Sequence, residues 1–165
     1  MQNEILTWGL LLAALGAALV AGVFLTFSDF VMRALNRTDP KAGIEAMQII
    51  NREVFRSLFM VLLVGSAPLA LLLAVYGVVG VGGRAAIWLV MGAVFYGGGV
   101  MAVTVLRNVP MNEKLDAMDH RSAAAHFYWQ TYVRAWTGWN HVRGVASLGT
   151  AACYLIGAFI LGRPS

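Results

Sequence analysis

The chain has 165 residues, of which 59% are hydrophobic and only 12% charged, and its mean hydropathy is +0.72. A soluble domain of this length carries about twice that share of charge, so the composition excludes an ordinary soluble fold and points to one integral membrane domain over residues 1–165. The formal net charge of +4 comes without any nucleic-acid motif, and a basic balance in a membrane protein reflects Lys and Arg in cytoplasmic loops.

Four apolar runs are expected to span the membrane, at about 5–27, 57–81, 85–106 and 142–161. Backbone polar groups find no partner in lipid, so each run must be a helix. The fold class is therefore all-α: an integral membrane four-helix bundle, with helical extensions at one end. The first run follows no basic segment and no convincing cleavage site, so it reads as a retained span rather than a signal peptide. Two small-residue stripes run along it, Ala14, Ala18, Gly22 and Ala13, Ala17, Ala21, at the spacing that lets helices approach in lipid. That makes a homo-oligomer one option.

The connection to the second run contains TDPK at 38–41, where Thr38 or Asp39 caps a helix and Pro40 occupies its first turn. From there Ile44, Met47, Asn51, Val54, Phe55 and Leu58 share one face, opposite Glu45, Arg52 and Arg56. This helix is expected to run without a break into the second span. The short GVGGR at 80–84 makes a tight hairpin to the third run. Gly92 and the triplet Gly97–Gly99 in that run favour close helix contact over a ligand space beside Tyr96.

After the third run, Asn108 before Pro110 reads as a second cap and helix start. A further helix is then expected to run through residues 126–141 into the fourth span. On it Trp129, Tyr132, Trp136, Asn140 and Arg143 step by 3, 4, 4 and 3, which is one helix face. His141 lies about 100° from Asn140. Ten of the twelve Lys and Arg fall in the two long connections and at their edges, and only Arg84 and Arg163 lie on the other side. The positive-inside rule places both long connections in the cytoplasm and both termini outside, as in a bacterial inner membrane protein.

Most of the unusual polar residues gather at the cytoplasmic end: Asp29 after the first run, Asn51, Asn108, Asn112, Asn140, His141 and Arg143. Polar groups at membrane depth are costly unless used, so they form a candidate chamber walled by Trp129, Tyr132, Trp136 and Trp139. The plainer reading gives the aromatic residues to the interface belt and the polar ones to caps and headgroups. An imidazole titrates near neutrality, which suits His141 to proton abstraction. Haem or a metal at His141 stays open, although the spacing of His120, His126 and His141 matches no common ligand pattern. No metal site and no resident cofactor are expected. The single cysteine, Cys153, lies in an apolar helix and reads as a core residue.

The pieces FSDF at 27–30, MQIINR at 47–52, NVPMN at 108–112 and WTGWNHVR at 136–143 resemble, in this order, the anthrone oxygenase-like family of small four-helix membrane proteins. One departure is Arg56-Ser57, where many relatives carry Asn-Pro. The resemblance implies a membrane oxygenase for a flat aromatic, anthrone- or quinone-like substrate. In that reading His141 is the base, Asn108, Asn112 or Asn140 holds the oxyanion, Arg143 offsets its charge, and Asn51, Asp29 and the aromatic residues bind substrate arriving from lipid. The alternatives are a lipid- or partner-binding bundle without catalysis and, last, a haem- or metal-binding redox protein.

Overall fold

A computed structural model describes residues 2–162; Met1 and Arg163, the latter used in the charge count, lie outside the described residues. Every element among them is helical. Helix α1 covers Gln2–Thr26, widens into a π-helical turn at Phe27–Val31 and ends over Met32–Leu35. Helix α2 is Pro40–Glu53, and α3 runs from Leu58 to Tyr76 with a π-helical end at Gly77–Val81. Helix α4 runs continuously through Gly83–Val94, π-helical Phe95–Ala102 and Thr104–Asn108, and Val109–Asp116. Helix α5, Ala123–Leu161, is 39 residues long. Helices α1, α3, α4 and α5 are each long and apolar enough to cross a membrane, and they form the expected four-helix architecture.

Their outward faces carry Leu12, Leu15, Leu19, Leu71, Leu72, Ile87 and Leu155 in exposed positions, as lipid requires. Their inward faces close on small residues. Ala13, Ala17 and Ala21 are buried on α1, whereas Ala18 and Gly22 of the other stripe face outward. A Cβ at Gly92 would collide with the Tyr154 ring, and one at Gly99 would collide with the Ala146 side chain. Close helix contact therefore explains these two glycines, while Tyr96 is fully buried and its hydroxyl donates to the Leu63 carbonyl at 2.8 Å. Gly82 and Gly83 turn the hairpin with φ of 68° and 59°, a region that favours glycine.

Two expected boundaries differ. The second run is not continuous with α2: Val54–Arg56 tightens into a 3₁₀ turn, and Ser57 becomes extended. Its hydroxyl then accepts from the Met60 amide and caps a new helix. As a result Phe55 and Leu58, placed on the packed face by periodicity, are exposed. Conversely, Asn108 caps nothing. Its backbone is helical (φ −73°, ψ −43°), its side chain makes no capping bond, and α4 continues through Pro110. A proline ring clashes with the carbonyl four residues back in a regular helix. The widened turn at Thr104–Asn108 leaves room for it, so α4 reaches Asp116 well beyond the expected end near 106.

At the polar end, Asp39 caps α2 through the Lys41 amide and Ser122 caps α5 through the Ala125 amide. The Gln48 amide donates to the carbonyls of Leu115 and Met118 at 2.8 and 2.9 Å, closing the C-terminus of α4. A second core of Met32, Ile44, Met47, Leu115, Ala125, Trp129, Tyr132 and Trp136 ties α2 to the long helices. This cap and the break at Ser57 together leave a hollow between α2, α3, α4 and α5.

Candidate functional site

The hollow is a cavity of about 370 Å³ lined by α1, α2, α3, α4 and α5. That is within the roughly 300–1,000 Å³ typical of small-molecule sites. Its walls are mainly apolar, among them Phe24, Phe27, Met47, Phe59, Met60, Leu63 and Met101. Its polar lining is concentrated. Asn51 comes from α2, Thr104, Asn108 and Asn112 from α4, and Asn140 and Arg143 from α5. The one-face spacing on α5 delivers Trp136, Asn140 and Arg143 to the same wall, and all three are buried.

Arg143 is the centre of the site. It is 6% exposed, and no carboxylate lies in ion-pair range of it among the described residues. Its Nη2 donates to Asn140 Oδ1 at 2.6 Å and its Nη1 to Thr104 Oγ1 at 3.4 Å. The guanidinium carbon stands 4.4 Å from the Phe24 ring centroid and 5.3 Å from that of Trp136. Asn140 is held in turn, its Nδ2 donating to the Phe24 carbonyl at 2.7 Å and to Ser28 Oγ at 2.6 Å. The π-helical turn that starts at Phe27 brings Ser28 to this position.

A second network orients the opposite wall. Asn112 Oδ1 accepts from Tyr132 Oη and from Trp136 Nε1, both at 2.8 Å. Asn108 Nδ2 donates to the Trp136 carbonyl at 3.3 Å. Trp129, Tyr132 and Trp136 stack in series, with centroids 5.6 and 6.1 Å apart and planes within 13° and 24°. Two atoms of cavity-lining residues, Asn108 Oδ1 and Arg143 Nε, have no hydrogen-bond partner and lie just beneath the cavity wall without accessible surface. Orphaned groups of this kind carry a desolvation penalty.

Of the residues expected from sequence, the cavity brings together Asn51, Asn108, Asn112, Trp136, Asn140 and Arg143. The others stand elsewhere. His141 is exposed and borders a second, smaller cleft between α1 and α5, which shares Phe24 and Asn140 with the cavity as a common wall. It does not reach the chamber, because one residue along a helix turns the side chain by about 100°. Asp29 is exposed and pairs with Arg33 at 3.7 Å. Trp129 and Tyr132 are buried in the cap behind Trp136 and do not line the cavity. Trp139 lies under the Arg107 guanidinium at 4.9 Å, away from it.

The lining also contains residues that sequence reading passed over. Phe24 and Phe59 meet edge to face at 5.6 Å, and both looked like ordinary members of apolar runs. Thr104 and Glu113 gave a usable signal: a lone hydroxyl in the third run, and a carboxylate beside Asn112. At the polar rim, Arg52 Nε meets Asp116 Oδ1 at 2.9 Å, while Glu113 has no ion pair among the described residues. No cluster of His, Cys, Asp and Glu among the described residues has the arrangement of a metal site.

Residues 52–153 match the family model described as Anthrone oxygenase. The matched segment includes α3, α4 and most of α5, and with them Asn108, Asn112, Trp136, Asn140 and Arg143. No curated protein and no solved structure matches the chain.

Proposed function

The chain belongs to the anthrone oxygenase family, and on that premise we propose that it is a membrane-embedded oxygenase for a flat, hydroxylated aromatic ketone of the anthrone type. The reaction converts the substrate's activated methylene to a carbonyl. The CH₂ carbon loses two hydrogens and gains one atom of molecular oxygen, and the other oxygen atom leaves as water. Electrons balance within this pair of reactants, so the proposal calls on no further reductant.

The observation that carries it is the buried, carboxylate-free Arg143 on the wall of an apolar cavity. Removing a proton from the methylene places negative charge on the ketone oxygen and makes the central ring aromatic. A fixed guanidinium stabilises charge where it develops and needs no reorganisation. Arg143 and Asn51 stand on the wall that would meet that oxyanion, and Asn108 stands beside them where a ring hydroxyl would lie. The faces of Phe24, Phe59 and Trp136 fit a planar guest. The resulting carbanion-like carbon is electron-rich enough to react with oxygen directly.

With His141 turned away, the proton acceptor proposed here is Glu113, the unpaired carboxylate on the lining. We place α2 and the two polar connections in the cytoplasm of a bacterial cell, on the ten-of-twelve imbalance of basic residues.

The test is oxygen uptake by the protein in lipid vesicles supplied with anthrone, with isotopically labelled oxygen. The expected result is one labelled oxygen atom in each anthraquinone formed, at a rate well above protein-free vesicles and lost in Glu113→Gln and Arg143→Gln. Uptake equal to that of empty vesicles overturns the proposal.

A further inference from the structure

The cavity has two different sides. Toward the polar end its rim is crossed by the Arg52–Asp116 ion pair. Toward the membrane its boundary consists of Phe55, Val64 and Val105, which line the cavity and are also 68%, 50% and 57% exposed. Here the cavity wall is one side chain thick and borders the lipid. The backbone explains why it is thin here. Helices α3 and α4 pack against each other where Tyr96 bonds Leu63 and farther along toward the hairpin. Nearer the polar end, Leu58–Tyr76 makes no extended backbone contact with Thr104–Asn108 or Val109–Asp116. The break at Ser57 turns the chain out of line at this level.

We infer that the gap between α3 and α4, bounded by Val64 and Val105 with Phe55 at its polar corner, is a lateral entrance through which a planar aromatic substrate dissolved in the bilayer reaches the site. The occupant is the substrate rather than a lipid acyl chain. The passage is apolar at its outer end but finishes at a wall that carries Asn51, Asn108, Asn112, Asn140 and Arg143. A saturated chain offers this polar wall no hydrogen bond, whereas a ketone with ring hydroxyls does. An uncharged polycyclic ketone also concentrates in lipid, so an entrance from the aqueous rim, closed by an ion pair, faces the smaller pool.

The inference rests on the oxygenase reading, and two readouts keep their failures apart. Val64→Phe and Val105→Phe fill the gap from either wall at exposed positions, so at least one is expected to fold. Val79→Phe, at an 80% exposed site away from the cavity, is the control for added bulk in lipid. The first readout is anthrone oxidation in vesicles. The second is the rate at which dihydroxyanthraquinone carried in the same vesicles quenches tryptophan fluorescence, which needs no turnover. Blocking the entrance is expected to slow both by roughly tenfold or more, as expected when access is gated, with Val79→Phe unchanged. If wild-type protein oxidises no anthrone, the oxygenase reading fails, and slowed quenching in the gap variants still supports the entrance. Wild-type quenching rates in both gap variants overturn it.

Discussion

Replacing Arg143 by methionine separates a catalytic cation from a structural one. The wild-type side chain gains a charge-assisted hydrogen bond to Asn140 Oδ1 at 2.6 Å, about 1.5–3 kcal/mol. It also gains its positions over Phe24 and Trp136, about 0.5–2 kcal/mol. Against these stands the cost of holding a guanidinium 6% exposed with no carboxylate, which is several kcal/mol. Methionine keeps most of the apolar stem and removes that cost, so the terms cancel to within about 2 kcal/mol. Asn140 stays fixed by its bonds to Phe24 and Ser28. The bundle in detergent is therefore expected to melt within a few degrees of wild type, or higher. Turnover should fall by about 10²–10³, the usual effect of removing one oxyanion donor. The assays are thermal melting followed by circular dichroism, and anthrone oxidation at saturating substrate. A variant that melts far lower marks Arg143 as structural, and one that melts normally with wild-type turnover refutes its role.

Further tests follow from the same geometry. Glu113→Gln is expected to lower turnover at least ~100-fold while leaving melting unchanged, because the side chain is exposed and unpaired. Equal activity in the two proteins would remove it as the proton acceptor. His141→Ala is expected to keep turnover within about twofold of wild type, since a residue outside the cavity meets no reacting atom; loss of activity in a stable variant would return the base to that position. Tyr132→Phe deletes one of the two donors to Asn112 and should cost about 0.5–1.5 kcal/mol with a several-fold loss of activity. Unchanged kinetics would show that Asn112 needs only Trp136. Gly99→Ala should destabilise by about 1–3 kcal/mol through collision with Ala146, while Gly97→Ala, which meets open space, should be close to neutral. Equal melting of the two would contradict the packing described for α4 and α5.

The membrane architecture was legible because its signal is simple: long charge-free runs, each bounded by polar residues. The inward face of α5 was legible too, since steps of 3, 4, 4 and 3 from Trp129 to Arg143 leave one choice of face. The helix boundaries were less so. Asn108 before Pro110 has the composition of a cap, and only the widened turn before it lets the helix pass through the proline. Ser57 sits at the head of an apolar run, and nothing local distinguishes a capping serine there from one inside a helix. The offset of His141 from Asn140 could be computed from the helix period. Its exposure depends on how α1 lies against α5, which no local pattern gives. The polar wall that defines the site, from Asn51 on α2 to Asn108 on α4 and Arg143 on α5, forms only once these helices are packed.

The most direct measurement of the central claim is the visible absorption of a bound hydroxyanthraquinone as a function of pH. Ionisation of its ring hydroxyl moves the band to longer wavelength, so the dye reports the charge next to it. If Arg143 faces the ligand as a carboxylate-free cation, the bound dye should ionise at a lower pH in wild-type protein than in Arg143→Met or in empty vesicles. Ionisation at the same or a higher pH than in Arg143→Met would show that the cavity does not stabilise an oxyanion.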